Sequence, residues 1–198
     1  GGTWLGVNAD GRFAALTNIR DPHQPPARKS RGELVARFLG GSLPLEQYLA
    51  EINGRAIEYA GFNLLVGTRE ELWHYNANHT EPTRLEAGVY GLSNAGLDTP
   101  WPKLLKARAA LSEVLDDPRP DVLLDILSDP QTAPFAELPD TGVGLATESL
   151  LSSVFIASPS YGTRASTALI VNADGTRQMV ERSFGPHGGR LGEVEINL

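Results

Sequence analysis

The sequence predicts an α+β protein, and three observations support this fold class. Asp-Gly pairs at residues 10–11 and 174–175 each separate two short apolar runs, which is the strongest short-range signal for a β-hairpin. Apolar residues recur with helical spacing within 34–52 and within 101–127. Hairpins make the sheets mainly antiparallel, and strand groups alternate with helix groups along the chain. We therefore expect a four-layer αββα sandwich with helices on the outer faces.

The first part of the chain is predicted to form a hairpin followed by two helices. Strands over 3–7 and 12–18 flank the first Asp-Gly turn. Ser30 precedes a run of helical apolar spacing, and Glu33 follows it by three residues, which predicts a capping box at a helix start. A glycine pair at 40–41 ends this helix, and a proline opens the next one.

The remaining elements follow from changes in the hydrophobic period. Strands are predicted over 62–68, 71–79 and 88–93, and prolines divide 101–127 into two helices. Proline and glycine make 129–144 irregular. The last third returns to strands, at 152–158, in a hairpin over 164–184 around the second Asp-Gly turn, and at 192–198.

Composition limits the classes of function. The 198 residues suit one domain, and the hydrophobic and charged fractions, 41% and 21%, are close to those of an average globular protein. A net charge of −7 argues against nucleic-acid binding, which requires clustered cations. No apolar run approaches the roughly 20 residues of a transmembrane helix. With no cysteine, these residues hold no thiol nucleophile and no disulfide, which fits a reducing compartment and predicts a cytoplasmic location.

Two asparagines lie at strand ends, and each precedes a loop. Asn18 closes FAALTN, and Asn94 lies in VYGLSNAGLDTPW ahead of a helix. Asparagine commonly bonds its own backbone in turns, so both are explained by local structure alone. Alternatively, the two side chains supply amide donors for a developing oxyanion. The spacing by itself leaves both interpretations open.

Charged residues in the late strands suggest a further anchor. Arg164 enters a strand of small and apolar residues, where it either points outward at a sheet edge or anchors an anion, because arginine is seldom buried unpaired. Glu181 and Arg182 are adjacent, so their side chains face opposite sides of one strand. One of the two is expected to meet the core or a pocket.

The four histidines do not form a metal-binding set. His74 and His79 are five residues apart, His23 lies in a proline-rich loop and His187 in a glycine-rich one, with no HExxH pattern. The TGVG segment lacks the full glycine pattern of a phosphate-binding loop. The residues alone therefore indicate an α+β domain without a metal-site pattern or a nucleotide loop, and an oxyanion-type pocket is one of the two interpretations of its strand-end asparagines.

An ordered series of stretches resembles a known family. The series is GGTWLGVNADGRFAALTN, GFNLLVG, VYGLSNAGLDTPWPK, ELPDTGVG, YGTRASTALIV and VERSF. It is similar to the NRDE family, also called the transport and Golgi organisation family, over essentially the whole chain. Family members carry several dozen residues ahead of GGTWLG, beginning Met-Cys and including the Asn-Arg-Asp-Glu motif. The resemblance therefore implies that 1–198 is a single domain lacking its N-terminal strand and that motif.

The family in turn resembles the N-terminal-nucleophile hydrolases, especially the bile-salt hydrolase and penicillin V acylase branch. That fold is an αββα sandwich in which an N-terminal cysteine attacks an amide and its own α-amino group acts as the base. By this resemblance Asn18 takes the part of the oxyanion-hole asparagine. Asn94 takes the part of the second asparagine, and Arg164 that of the arginine entering a late strand.

The resemblance implies two functions from different classes. The first is binding of a small hydrophobic ligand, haem or a lipid or acyl-CoA, in the αββα cleft, for trafficking or homeostasis. Haem is a candidate ligand rather than an assigned cofactor, with His23 or His74 available as an axial ligand. The alternative is a cysteine N-terminal-nucleophile amidohydrolase, so enzymatic activity stays open. The predicted ligand-binding residues are Trp4, Arg20, Arg164 and Glu181.

Overall fold

The computed structural model describes residues 2–24, 26–79 and 81–198 and divides the chain into two compact units. The first unit is Gly1–Thr99 and the second is Pro100–Leu198. Each unit builds its own sheet, and the strand pairs in both sheets are antiparallel. The predicted α+β class with mainly antiparallel sheets is therefore confirmed. The single domain over 1–198 and the stacking of four layers stay predictions.

In its described residues, the first unit is a five-stranded meander with two α-helices. Its sheet has the order β1-β2-β3-β4-β5, so each strand pairs with the next along the chain. The elements are β1 (Leu5–Val7), β2 (Phe13–Asn18), α1 (Gly32–Gly40), α2 (Leu45–Arg55), β3 (Phe62–Gly67), β4 (Leu72–Asn76) and β5 (Thr83–Leu85). The first predicted hairpin, both helices and the hairpin of β3 and β4 are confirmed.

The turn between β1 and β2 also closes the end of α1. Gly11 has a φ of +88°, a conformation that glycine adopts without steric cost. The side-chain oxygen of Asn8 accepts a hydrogen bond from the amide of Arg12 at 2.9 Å. Its side-chain nitrogen donates to the carbonyl of Leu39 at 2.8 Å, near the C-terminus of α1. One asparagine thus shapes the hairpin turn and satisfies a helix-end carbonyl.

Apolar residues of both helices and of the sheet share one core in this unit. Phe38 of α1 is fully buried, and its ring lies 5.1 Å from that of Tyr48 of α2. The other members with no more than 1% exposure are Ala14, Leu34, Val35, Leu49, Ile52, Phe62, Leu64, Val66 and Tyr75. The helices are amphipathic because their inward residues recur every three or four positions.

The second unit carries a three-stranded sheet and three helices. The elements are α3 (Pro102–Glu113), α4 (Pro120–Ile126), α5 (Leu145–Leu150), β6 (Ala165–Val171), β7 (Arg177–Phe184) and β8 (Arg190–Asn197). The sheet has the order β6-β7-β8, and α4 packs on it through Leu124, which contacts Ala168 and Val180. The second Asp-Gly hairpin and the closing strand are confirmed, as is the division of 101–127 into two helices.

The strand predicted over 88–93 is wrong. The third strand of that region is β5, at Thr83–Leu85, and 88–93 is irregular. Gly91 exchanges backbone and side-chain hydrogen bonds with Asp98, so its polar groups are used within a tight loop. The neighbouring Leu92 forms an isolated bridge with Leu97 in the same loop. A segment that bonds to itself in this way cannot join a ladder.

The strand predicted over 152–158 is also wrong. The amide of Phe155 donates to the carbonyl of Asp129, and the amide of Ile156 donates to the hydroxyl of Thr163. These two backbone amides therefore bond to loop segments and not to a neighbouring strand. The preceding helix α5 was not predicted, because it is only six residues long and lacks a clear apolar period.

The helix predicted after Ser30 is confirmed, but the capping box predicted at Ser30 is wrong. Helix α1 begins at Gly32, and no side chain caps its N-terminus. The carboxylate of Glu33 instead accepts a hydrogen bond of 2.5 Å from the hydroxyl of Tyr59. Tyr59, which is distant in sequence, therefore bonds the Glu33 carboxylate that a capping box would use.

None of the helices in the described part of the chain has the length and apolarity needed to cross a lipid bilayer.

We predict that Phe38→Ala destabilises the protein by about 3–5 kcal/mol, because it opens a cavity in the core of the first unit. Ile57→Ala is the control, since Ile57 is 96% exposed, and it should change the free energy of unfolding by less than about 0.5 kcal/mol. Urea unfolding measures both. Equal effects of the two substitutions would contradict the assigned core.

Candidate functional site

The structure brings together three of the residues predicted from the sequence, at the end of β2. The side-chain nitrogen of Asn94 donates to the backbone carbonyl of Asn18 at 2.9 Å. The backbone amide of Arg20 donates to the carbonyl of Asn94 at 2.7 Å. Asn18, Arg20 and Asn94 therefore form one hydrogen-bonded cluster, which we call the strand-end cluster.

The side chain of Asn18 has an unusual position in this cluster. Its amide oxygen is buried and accepts no hydrogen bond from the residues that the structure describes. Buried side-chain acceptors in proteins are nearly always paired. Asn94, by contrast, commits at least one of its N–H donors to the chain itself. The two asparagines thus differ, because Asn94 holds the segment and Asn18 presents a buried acceptor.

A second asparagine-rich group holds the cluster in place, and its centre is Asn63 of β3. Asn63 is 0% exposed, and its side chain makes four hydrogen bonds. Its nitrogen donates to the hydroxyl of Thr17 at 3.2 Å and to the carbonyl of Ala95 at 2.6 Å. Its oxygen accepts from the side-chain nitrogen of Asn76 at 2.9 Å and from Nε2 of His74 at 3.0 Å. All four hydrogen-bonding positions of the amide are filled.

Strand register creates this arrangement. Asn63 lies directly opposite Thr17 on β2 and opposite Asn76 on β4, so one row of polar residues crosses three strands. His74 lies two residues before Asn76 and on the same face of β4. The hydroxyl of Thr17 in turn donates to the carbonyl of Ser93 at 2.7 Å. Together, Thr17 and Asn63 therefore hold the loop at the carbonyls of Ser93 and Ala95, the residues immediately before and after Asn94.

His74 carries a proton on Nε2, and its surroundings favour the neutral form of the ring. Because the Asn63 oxygen can only accept, Nε2 must carry the hydrogen of their bond. Burial lowers the pKa of His74 below its ordinary value, and the charge of His79 lowers it further. The buried His74 therefore helps to support the strand-end cluster through its bond to Asn63.

Hydrogen bonds within the loop over 91–99 determine its shape. The Asp98 carboxylate accepts from the amide of Gly91 at 2.8 Å, and the Asp98 amide donates back to the Gly91 carbonyl at 2.7 Å. Asp98 has a φ of +53°, in the left-handed region. The Thr99 hydroxyl accepts from the amide of Gly96 at 3.1 Å. These local bonds fix the path of the chain around Asn94.

The other predicted residues lie outside the strand-end cluster. Trp4 is 52% exposed, and its carbonyl accepts from the amide of Leu16. Arg164 and Glu181 belong to the second unit. Arg164 is exposed just before β6, and Glu181 accepts a hydrogen bond of 2.9 Å from the hydroxyl of Thr167. The roles of these residues stay predictions.

Arg182 and Glu181 face opposite sides of β7, as predicted. The guanidinium of Arg182 pairs with Asp125 of α4 and with Glu193 of β8. It therefore lies on the face of the sheet that packs against α4, whereas Glu181 lies on the other face.

The two histidines considered as haem ligands are in contrasting environments. His23 is exposed in a turn that the Asp21 carboxylate closes, while Nε2 of His74 is occupied by Asn63. In the described part of the chain, no group of three or more His, Cys, Asp or Glu side chains is arranged to hold a metal ion.

Sequence reasoning missed Asn63 and Asn76. The signal for Asn63 was present, because FNLLVG is otherwise apolar or glycine and a polar side chain in such a strand must find partners. Its partners depend on strand register, which the local sequence does not reveal.

Comparisons with known proteins agree with the resemblance in the sequence motifs. The family model described as Transport and Golgi organisation 2 matches residues 1–186. The chain belongs to this family. It is 36% identical over 204 residues to a Transport and Golgi organization protein 2 homolog from Bos taurus and 35% identical over 200 residues to the one from Homo sapiens. It is 33% identical over 200 residues to a Mus musculus homolog, and each comparison covers 93% of this chain and 72% of the relative.

We predict that His74 makes stability depend on pH. Its folded-state pKa lies below the unfolded value of 6.5, so the unfolded chain binds the proton first. The stabilising contribution is fully present above about pH 6.5 and is lost as the pH falls through the folded pKa. Urea unfolding at pH 7.5 and pH 5.5 should show a smaller loss for His74→Gln than for the unchanged protein. The exposed His23→Gln is the control, and an unchanged pH dependence in His74→Gln would refute the assignment.

Proposed function

We propose that this chain binds a small ligand that combines a hydrophobic acyl chain with an amide N–H, of the acyl-CoA class, at the strand-end cluster. The observation that supports this proposal is the buried side-chain oxygen of Asn18, which accepts no hydrogen bond from the described residues. Trafficking or homeostasis of such ligands in the cytoplasm is the role we propose, in line with the family resemblance.

The chemistry of the Asn18 oxygen favours a ligand that donates a hydrogen bond. Leaving a carbonyl oxygen buried and unpaired costs about 1–3 kcal/mol, and a ligand N–H recovers that cost on binding. The pantetheine arm of an acyl-CoA carries amide N–H groups next to its acyl chain. The ionised carboxylates of haem only accept hydrogen bonds, so they do not complement this oxygen. Acyl-CoA is therefore the better match of the two ligand classes.

The rigidity of the cluster also supports ligand binding. The hydrogen bonds of Asn94 fix the backbone just after the Asn18 side chain, at the carbonyl of Asn18 and the amide of Arg20. Asn63 anchors the facing loop through the carbonyl of Ala95. A group held in place before binding loses little conformational freedom when the ligand arrives, which favours affinity.

Amide hydrolysis is a second candidate, favoured by the same juxtaposition of Asn18 and Asn94. An amide substrate also offers an N–H to the Asn18 oxygen. The 198 residues contain no cysteine, so a cysteine nucleophile would have to come from residues outside them. A thiol-blocking reagent applied to a full-length family member tests this candidate, and turnover that survives the reagent would exclude it.

We predict that octanoyl-pantetheine binds the chain and that Asn18→Ala weakens binding by about tenfold or more, as expected for a lost buried hydrogen bond. Isothermal titration calorimetry measures both affinities. This probe is uncharged, so ion pairing does not contribute. Asn197→Ala is the matched control, because Asn197 is exposed on β8 and should leave the affinity unchanged.

Haem is titrated in parallel, with the Soret band as readout. The proposal expects no Soret shift at micromolar haem. A Soret shift together with absent octanoyl-pantetheine binding would contradict the proposal, as would equal affinities of the unchanged protein and Asn18→Ala.

A further inference from the structure

We propose a separate site in the first unit that binds a small aliphatic carboxylate, in a cavity beside the C-terminal end of α1. The cavity has a volume of about 460 Å³, within the usual range of small-molecule sites. Three of its lining residues are charged, namely Arg12, Glu33 and Arg37. None of the residues in the strand-end cluster lines it.

Arg12 is held rigidly at the edge of this cavity. Its NH1 group donates to the carbonyl of Phe38 at 3.3 Å, and its NH2 group donates to the carbonyl of Leu43 at 2.8 Å. The guanidinium carbon also lies 5.0 Å from the centre of the Phe38 ring, a cation–π contact. These three contacts fix the orientation of the planar group.

The charge of Arg12 meets no carboxylate in the described part of the chain. Its side-chain hydrogen bonds go to uncharged backbone carbonyls, and two of its five N–H donors are used in this way. The guanidinium fork matches a carboxylate in geometry and charge, so the remaining donors suit an anionic ligand.

The second cation of the cavity, Arg37, already has a partner of opposite charge. Arg37 pairs with Glu51 at 2.6 Å, and that contact raises the pKa of Arg37. The carboxylate of Glu33 accepts a hydrogen bond from the hydroxyl of Tyr59 at 2.5 Å. Arg12 is therefore the cation most available to an incoming anion.

The remaining wall is suited to a hydrocarbon chain. Ala36, Leu43 and Gly40 contribute apolar surface, and the hydroxyl of Tyr48 is turned to the carbonyl of Leu34 at 2.5 Å. A Cβ atom built on Gly40 would meet no other atom within 4 Å, so open space lies beside it. One fixed cation next to an apolar space selects a carboxylate with a short chain over a bare inorganic anion.

The test is isothermal titration calorimetry of the chain with hexanoate, hexanol and inorganic phosphate. Hexanoate should bind at least about tenfold more tightly than either hexanol or phosphate, because only hexanoate offers both the charge and the chain. Arg12→Gln should weaken hexanoate binding by about tenfold or more.

A second variant keeps the test valid if Arg12→Gln fails to fold. Gly40→Leu places a side chain in the open space and leaves Arg12 unchanged. Because it replaces a glycine within a helix with a better helix former, the variant is expected to fold. It should abolish hexanoate binding. Gly54→Leu is the matched control, since Gly54 lies in α2, has the same open surroundings and is absent from the cavity wall.

Binding of hexanoate that is lost in Gly40→Leu and retained in Gly54→Leu supports the site. Three results would overturn it: no hexanoate binding to the unchanged protein at millimolar concentration, equal binding to Gly40→Leu, or a preference for phosphate over hexanoate.

Discussion

The four hydrogen bonds of the Asn63 side chain are the constraint on which the candidate site depends. A fully buried amide is tolerated in an apolar core only when all its donors and acceptors are paired. Asn63 finds partners on β2, on β4 and in the loop over 91–99. One side chain therefore links three elements, and the removal of it would leave several buried polar groups unpaired at once.

In the first unit, the residues that support the loop therefore differ from the residue that we propose for ligand binding. Asn63 and His74 are buried and support the loop, while the side-chain oxygen of Asn18 is the buried acceptor that we propose for a ligand. Strand β2 also has Arg12 just before its other end, where the turn shaped by Asn8 brings it against α1. The two proposed sites are thus built from opposite ends of one strand and use opposite chemistry, an acceptor at one end and a cation at the other.

Much of this fold could be predicted from local sequence, because its turns have strong local causes. The Asp-Gly pairs at 10–11 and 174–175 predicted two hairpins, and both are confirmed. The strand expected over 88–93 does not form because the Asp98 carboxylate accepts a hydrogen bond from the amide of Gly91. Residue propensities do not predict such a contact. For the site, sequence motifs indicated Asn18 and Asn94, whereas the central role of Asn63 follows from register across three strands. Contacts that depend on how strands pair cannot be predicted from one segment of sequence at a time.

Hydrogen exchange at the amide of Arg20 tests the central claim most directly, because this amide donates to the carbonyl of Asn94 and so reports whether the loop is attached to the strand end. In Asn63→Leu, which keeps the side-chain size but removes the four hydrogen bonds, the Arg20 amide should exchange at least about tenfold faster. The amides of α1 should stay protected and show that the unit remains folded. Unchanged protection of Arg20 in that variant would contradict the claim that Asn63 holds the site together.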